Sequence, residues 1–422
     1  MSNLEVAPQE TDCTSTPANG TLLIEARTVP LGGVRGITVN RTLPSRPVPT
    51  IGAWCFVDHF GPAPADSMVV LPHPHTALQT VTWPLTGSIH HRDSVGSDVI
   101  VRPGELNLMT AGHGVSHSEI SLVGPDPLRG LQLWLALPDD ALNAAPAFEQ
   151  HTGLPIVETG TLTATVLTGE FAGARSPATT YTPLVGAQLS LRPGTSTIEL
   201  EPGFEYGLMV LDGPVRVDGR ALPDGDLLYL GPGHQGVELS TTTGSRMIML
   251  GGEPFEAELI MWWNFIGRNH QDILRARQEW EDHSVRFGTV AGHGSERIPA
   301  PPMPITILKP RRRNKPVRRT DWRGRPMTIT VTDVPEKHRY EATDENGRVY
   351  GHVEYLRGTD LITFTHTEVD PAAEGKGIGG TLARAVLDQA RADGVLVRPI
   401  CPFIKEWIAR HPDYADLVRR PR

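Results

Sequence analysis

Between residues 1 and 308 the chain has no lysine; all five lie from Lys309 onward. Charge divides at the same place: residues 1–308 carry 17 basic and 32 acidic groups, a net of −15, and residues 309–422 carry 22 and 16, a net of +6. Two modules with a boundary near 309 are expected. Cysteine is also scarce. Cys13, Cys55 and Cys401 form no CxxC pair, a poor disulfide framework that suits a reducing cytoplasm. No stretch approaches about 18 consecutive apolar residues, and MSNLEVAPQETDCTSTPANG has neither a basic n-region nor an apolar h-region, so membrane spanning and secretion are not expected. Aromatics are only 6%, against 43 Gly and 38 Pro, which favours many short strands over a helical bundle. At 422 residues, two or three cores are expected.

Residues 1–20 read as a polar, disordered leader. From 21 to 137, β-branched and aromatic residues alternate with polar ones between Gly, Pro and Asp, as in GELNLMTAGHG and LRGLQLWLALP, predicting the hairpin strands of a barrel or sandwich. The pattern resumes over 138–297, and an internal repeat emerges: TWPLTG (82–87) resembles LMVLDG (208–213), and PGELNLMTAGHG (103–114) resembles DGDLLYLGPGHQ (224–235). Two copies of one β-barrel is the economical reading. Ile266, Ile273, Leu274 and Trp280 fit one face of a closing helix over 269–283. Residues 298–326 combine proline with nine Lys/Arg between 309 and 325 and read as a solvated linker. No aromatic stacking set accompanies that charge, so nucleic acid is not the expected partner. Residues 327–422 read as four strands, a glycine-rich turn, a helix, a short strand and a last helix: a small α+β unit.

In LPHPHTALQTVTW, His73 and His75 stand at i, i+2 and project to one face of a strand about 7 Å apart. GVSHSEI repeats that spacing with His117 and Glu119, and a barrel can bring the pairs face to face. Three imidazoles and one carboxylate suit Fe(II), and also Mn, Ni, Cu or Zn, with room for water or substrate. The residual positive charge can hold an enolate or activate dioxygen. His59, His90, His91 and His113 read as packing or rim residues, because none is seen to repeat the paired strand geometry. Aligning Gly87 with Gly213 sets His73 and His75 against Glu199 and Glu201. Aligning Gly112 with Gly233 sets His117 and Glu119 against Glu238 and Ser240. One metal per chain is therefore expected.

The stretches WCFVDHFGP, HPHTALQTVTW and SIHHRDSVGSDVIVRPGELNLMTAGHGVSHSE resemble the pirin family of the cupin superfamily, over about 21–285. The resemblance implies a mainly β bicupin, two double-stranded β-helix barrels, with one iron held by His73, His75, His117 and Glu119. It further implies a quercetin 2,3-dioxygenase-like oxidoreductase acting on a flavonol-like or phenolic small molecule, with Glu119 as general base. A non-enzymatic metal- or redox-sensing module that binds another protein is the competing reading. Where the family commonly has Arg-Gly-Phe-Glu after its HPH, this chain has Thr76, Ala77, Leu78 and Gln79, so the pocket rim differs.

In EVDPAAEGKGIGGTLARAVLDQARADG, glycines between a strand and a helix free backbone N–H groups that can cradle a pyrophosphate, or else simply pack the helix. HTEV before it and PICPFIKEWIARHPDYADLV after it resemble small GNAT-like N-acetyltransferases. That resemblance implies acetyl-CoA bound by Glu374, Gly375, Lys376, Gly377, Ile378, Gly379 and Gly380. Glu374 stands where the superfamily usually has Arg or Gln. Cys401, before Pro402, is the candidate reactive group, with an inert buried cysteine as the alternative. On this second resemblance the chain could also be chiefly an acetyltransferase, with the cupin as sensor.

Overall fold

The computed structural model describes residues 20–31, 37–45, 47–310, 330–343, 348–358, 360–370 and 378–419. It separates into Met1–Pro316 and Val317–Arg422. Among the described residues no helix is long and apolar enough to cross a membrane.

The first unit holds two barrels of matching topology. In the first barrel, seven strands run in the order Ala147–His151, Leu106–Thr110, Leu78–Thr86, Leu128–Ala136, Trp54–Ala63, Ile37–Leu43 and Arg27–Leu31. Opposite them lie Val69–His75, Val115–Ser121, Ile89–Asp93 and Asp98–Val101. The second barrel repeats this with Thr21–Ile24, Leu227–Leu230, Glu205–Asp212, Ser245–Gly252, Leu184–Leu191, Leu162–Phe171 and Ile156–Thr159, facing Gly194–Glu199, Gly236–Thr241, Val215–Val217 and Arg220–Leu222. Two strands cross the expected division at 137/138. Thr21–Ile24 pairs with Leu227–Leu230 of the second barrel, and Ala147–His151 pairs with Leu106–Thr110 of the first.

The large sheets pack back to back, so their central strands are buried on both faces. In Leu128–Ala136, Leu131, Leu133 and Leu135 join a core shared with Leu211, Leu227, Ile248 and Leu250 of the other barrel. This explains the near-continuous apolar runs of these strands. Trp54 locks the junction, its Nε1–H donating to the carbonyls of Val185 (3.1 Å) and Gly251 (3.3 Å). Interior-facing residues occupy the alternate positions, so whatever chemistry a barrel holds is written at period two.

The helix is His270–Glu281, started by Asn269 and Asp272 in a reciprocal capping box. Ile273, Ala276 and Trp280 are its buried face, while Ile266 lies in the preceding strand Phe265–Gly267. The segment covers the back of the first barrel's small sheet: Ile266 N–H donates to the Thr76 carbonyl, Ile298 N–H to that of Pro72, and Ser116 Oγ–H to that of Phe287.

The second unit is a five-stranded sheet in sequence order, Thr330–Val334, Arg339–Thr343, Val349–Arg357, Leu361–Val369 and Leu396–Pro399, with only the last pair parallel. Helices Ile378–Ala392 and Pro402–Arg410 pack on it around Val353, Phe364, Leu382, Val386 and Ile404.

Candidate metal centre

His73 and His75 sit on Val69–His75, an edge strand of the small sheet. An edge tolerates Pro72 and Pro74, which alternate with the histidines and donate no ladder hydrogen bond. The neighbouring strand Val115–Ser121 sets His117 opposite His73, with an irregularity between His117 and Glu119 that re-aims the carboxylate. His73, His75 and His117 converge, each offering a ring nitrogen within 4.8 Å of the others, and all are fully buried. Glu119 groups instead with His117 and His91. The four residues picked out by sequence thus share one interior, as two overlapping triads joined at His117.

The hydrogen bonds assign the free lone pairs. His73 Nδ1–H donates to the Leu71 carbonyl at 2.9 Å, and its Nε2 is buried with no partner among the described residues. Asp93 Oδ2 accepts from His91 Nε2–H at 3.2 Å, and the His91 and His117 Nδ1 atoms face each other at 3.5 Å. With His91 Nε2 protonated, His91 Nδ1 must accept from His117 Nδ1–H, which frees His117 Nε2. That atom lies 3.1 Å from His75 Nε2. His117 Nε2 thus either accepts a hydrogen bond from His75 Nε2–H or, with His75 in its other tautomer, aims with it at a shared cation. Neighbouring ligands at about 2.1 Å and right angles stand about 3 Å apart. Burial, the largest cause, pushes all three imidazoles well below their ordinary pKa, so they are neutral donors. The donor set fits a first-row divalent metal. Opposite it, Thr82 Oγ1 lies 3.0 Å from Glu119 Oε1 and 3.0 Å from the side-chain amide of Gln132.

His91, read from sequence as a packing or rim residue, also contacts the cluster. It stacks on Phe148 (centroids 4.6 Å) and links Asp93 to His117. The signal was present, since His91 and Asp93 stand at the same i, i+2 spacing as the other pairs. His90 pairs with Asp98 at the surface, His113 is exposed, and His59 Nε2 accepts from Arg129, all outside the cluster.

The internal alignment of the repeats also needs correction. Gly87 and Gly213 both turn with φ of 73°. Four residues later stand His91, paired with Glu119, and Val217, paired with Leu239. His73 pairs with His117 as Ile198 pairs with Val237, and Leu200 N–H donates to the Gln235 carbonyl where His75 faces Val115. The counterparts of His73, His75, His117 and Glu119 are therefore Ile198, Leu200, Val237 and Leu239, all buried, while Glu199, Glu201 and Glu238 are exposed. A one-residue difference in turn length shifts the match, and a one-residue shift exchanges the faces of a strand.

In the second unit, Glu374, Gly375, Lys376 and Gly377 lie outside the described residues. Ile378 begins the helix and is buried. A Cβ on Gly379 would come 2.8 Å from the Phe403 ring, so close helix packing accounts for that glycine. Cys401 is buried ahead of the last helix, its N–H donating to the Phe364 carbonyl and its Sγ 3.3 Å from Thr367 Oγ1.

A double barrel with an imidazole-rich interior on one side defines a bicupin. Residues 36–135 match the family model described as Pirin, and residues 186–288 that of the Pirin C-terminal cupin domain. A pirin-like protein of Caulobacter vibrioides is 35% identical over 295 residues, 66% of this chain and 99% of the relative. A candidate quercetin 2,3-dioxygenase of Pseudomonas aeruginosa is 45% identical over 288 residues, 67% of this chain and 91% of the relative. The crystal structure of quercetin 2,3-dioxygenase from Acinetobacter baumannii superposes with a TM-score of 0.65 at 42% identity, covering 68% of this chain and 96% of that one. The chain belongs to the pirin family. Residues 339–417 match the model described as GCN5-related N-acetyl-transferase, so a GNAT-like domain follows the bicupin.

Proposed function

We propose that the first barrel is a metal-dependent dioxygenase acting on a flavonol-like or phenolic substrate, with Fe(II) held by His73, His75, His117 and Glu119. The observation that carries this reading is the convergence of three fully buried imidazoles beside a buried carboxylate. When bound, the metal supplies Lewis-acid stabilisation of a deprotonated substrate oxygen and a centre for dioxygen. Glu119 accepts the substrate's enolic or phenolic proton, and Thr82 Oγ–H, 3.0 Å away, orients it. Asp93 and His91 fix the tautomer and ring angle of His117. The reading is tested by aerobic incubation of iron-loaded protein with quercetin. Metal-dependent loss of quercetin is expected, abolished by chelation; a loaded protein that leaves the flavonol and oxygen unconsumed refutes it.

For the GNAT-like domain we infer acetyl-CoA binding by the 374–380 loop, supported by the family match over 339–417. Calorimetry on the whole chain tests this. Gly377→Val is expected to weaken acetyl-CoA at least about tenfold, about 1.4 kcal/mol, by blocking backbone approach to the pyrophosphate. Cys401→Ser is expected to spare affinity and lower acyl transfer if the thiol takes part.

A further inference from the structure

The large sheet of the first barrel carries polar side chains in one continuous register. Arg41 is paired with Asp58, Asp58 with Gln132, Gln132 with Thr82, and Thr82 with Asn107, across five adjacent strands. Residues directly opposite in a ladder share a face, so all five face the interior, toward Glu119. All five are buried. The matching row in the second barrel is Val166, Ala187, Met249, Leu208 and Leu228, in the same pairwise register. A barrel of this topology therefore closes without any polar layer, and the first barrel's row needs another explanation.

Part of the row is satisfied internally. Arg41 Nε–H and Nη2–H donate to the Asp58 carboxylate at 2.7 and 2.9 Å, and Thr82 bridges Glu119 and Gln132 at 3.0 Å each. The remainder is not. Both amide atoms of Asn107 are buried with no hydrogen-bond partner among the described residues. Thr82 has one proton, which Glu119 accepts, so the Gln132 amide turns its N–H to Thr82 Oγ1 and leaves its oxygen as the unpaired atom. Each such group costs about 1–3 kcal/mol, and an aliphatic side chain of similar size would remove that cost, as Leu228 and Met249 do next door. Unpaired amides flanking Thr82 and Glu119 are the arrangement of a site that awaits polar groups on a ligand.

We propose that Asn107 and Gln132 are specificity-determining residues that read the ring hydroxyl and carbonyl groups of a polyhydroxylated, planar aromatic substrate. An amide offers a donor and an acceptor side by side, so Asn107 can engage two neighbouring oxygens of a polyphenol, one as donor and one as acceptor. Gln132 adds an acceptor, its amide oxygen, for a substrate hydroxyl beside the carboxylate that takes the substrate's proton. This rests on the flavonol reading above and narrows it to flavonols with hydroxyls beyond the enolic one.

The test compares quercetin with 3-hydroxyflavone, which keeps the enolic hydroxyl and ketone and lacks the other hydroxyls. Anaerobic fluorescence titration of the metal-loaded chain gives Kd for each, and aerobic kinetics give KM and kcat. The wild type is expected to prefer quercetin by at least about tenfold in Kd, since a site built to hydrogen-bond a hydroxyl rejects its deletion strongly. Asn107→Leu and Gln132→Met, which install the second barrel's residues, are expected to shrink that preference to about threefold or less, while metal content holds and the melting temperature holds or rises. Variants that fold, load metal and keep the wild-type preference overturn the proposal and leave the flavonol reading standing, with the amides reduced to water sites. Failure of both flavonols to bind the wild type overturns both.

Discussion

The two barrels share strand order, ladder register and even the glycine that turns at 87 and 213, yet they bury opposite chemistries. Where the first encloses His73, His75, His91, His117 and Glu119, the second encloses Ile198, Leu200, Val217, Val237 and Leu239. Where the first has the row Arg41, Asp58, Gln132, Thr82 and Asn107, the second has only aliphatic residues. The fold thus makes no demand for polar residues inside. Each polar group in the first barrel's row carries a desolvation cost that the aliphatic row of the second avoids, and that cost is met only where the group finds a hydrogen-bond partner. The second barrel gives its interior to stability and, through Trp54, braces the first.

The comparison breaks most sharply at matched positions on the small sheets. His75→Ala is expected to take metal from about one ion per chain to none, measured by elemental analysis of anaerobically purified protein. Leu200→Ala, its counterpart, is expected to leave metal content intact and cost about 2–5 kcal/mol of stability in denaturant unfolding, because it opens a cavity in a packed apolar core. Metal retained in the first variant or lost in the second would erase the distinction.

Arg41 and Asp58 sharpen it next. Both are buried, and burial pushes the Asp58 carboxyl up against the opposing pull of Arg41. Arg41→Val alone is expected to cost about 3–5 kcal/mol, since it strands a carboxyl in the interior. Arg41→Val with Asp58→Ala copies Val166 and Ala187 and should recover most of that loss. A double-mutant cycle measures the coupling; additive losses would mean that the pair is not a unit.

A smaller effect distinguishes the barrels by pH. His59 matches Gln188 on the second barrel, since each pairs with the large sheet's central strand at Leu131 or Ile248. Burial first, and then the Arg129 guanidinium, lower the His59 pKa to about 4. The folded value lies below the unfolded one near 6.5, so the native state resists protonation. Stability is whole above pH 6.5 and falls as pH drops toward 4, by about 3 kcal/mol at most. His59→Gln is expected to flatten that part of the stability profile, measured by urea unfolding at pH 7 and pH 4.5.

Much of this contrast could be read from sequence, and the reason is period. HPH and HSE place imidazoles and a carboxylate on one face of a strand whatever the tertiary structure, so the convergence of those four residues was legible, as were the repeat and the helix that became His270–Glu281. The polar row was not, because Arg41, Asp58, Thr82, Asn107 and Gln132 lie on five strands and become neighbours only through pairing. His91 was passed over although it shares the spacing of the other pairs with Asp93. The exchange of Thr21–Ile24 into the far barrel leaves no local signal, since an edge strand reads the same beside either partner.

The repeat alignment supplies the smallest expected effect and the cleanest choice between sequence and structure. Matching glycines along the chain puts Glu199 and Glu201 opposite His73 and His75, and by that reasoning Glu199→His with Glu201→His would rebuild half of a second metal site. The ladder says otherwise. Thr197 pairs with Glu238, Ile198 with Val237 and Glu199 with Gly236, so the two glutamates point away from the barrel core and Ile198 and Leu200 point in. Surface changes of this kind are worth within about 0.5 kcal/mol. The double variant is therefore expected to hold one metal ion per chain and to melt as the wild type does. Ile198→His with Leu200→His carries the same two imidazoles one residue earlier, into a dry interior with no carboxylate, and is expected to destabilise without binding a second ion. A second ion in the Glu199/Glu201 variant, seen by elemental analysis, would mean that the strand register, and with it the contrast between the barrels, is misplaced by one residue.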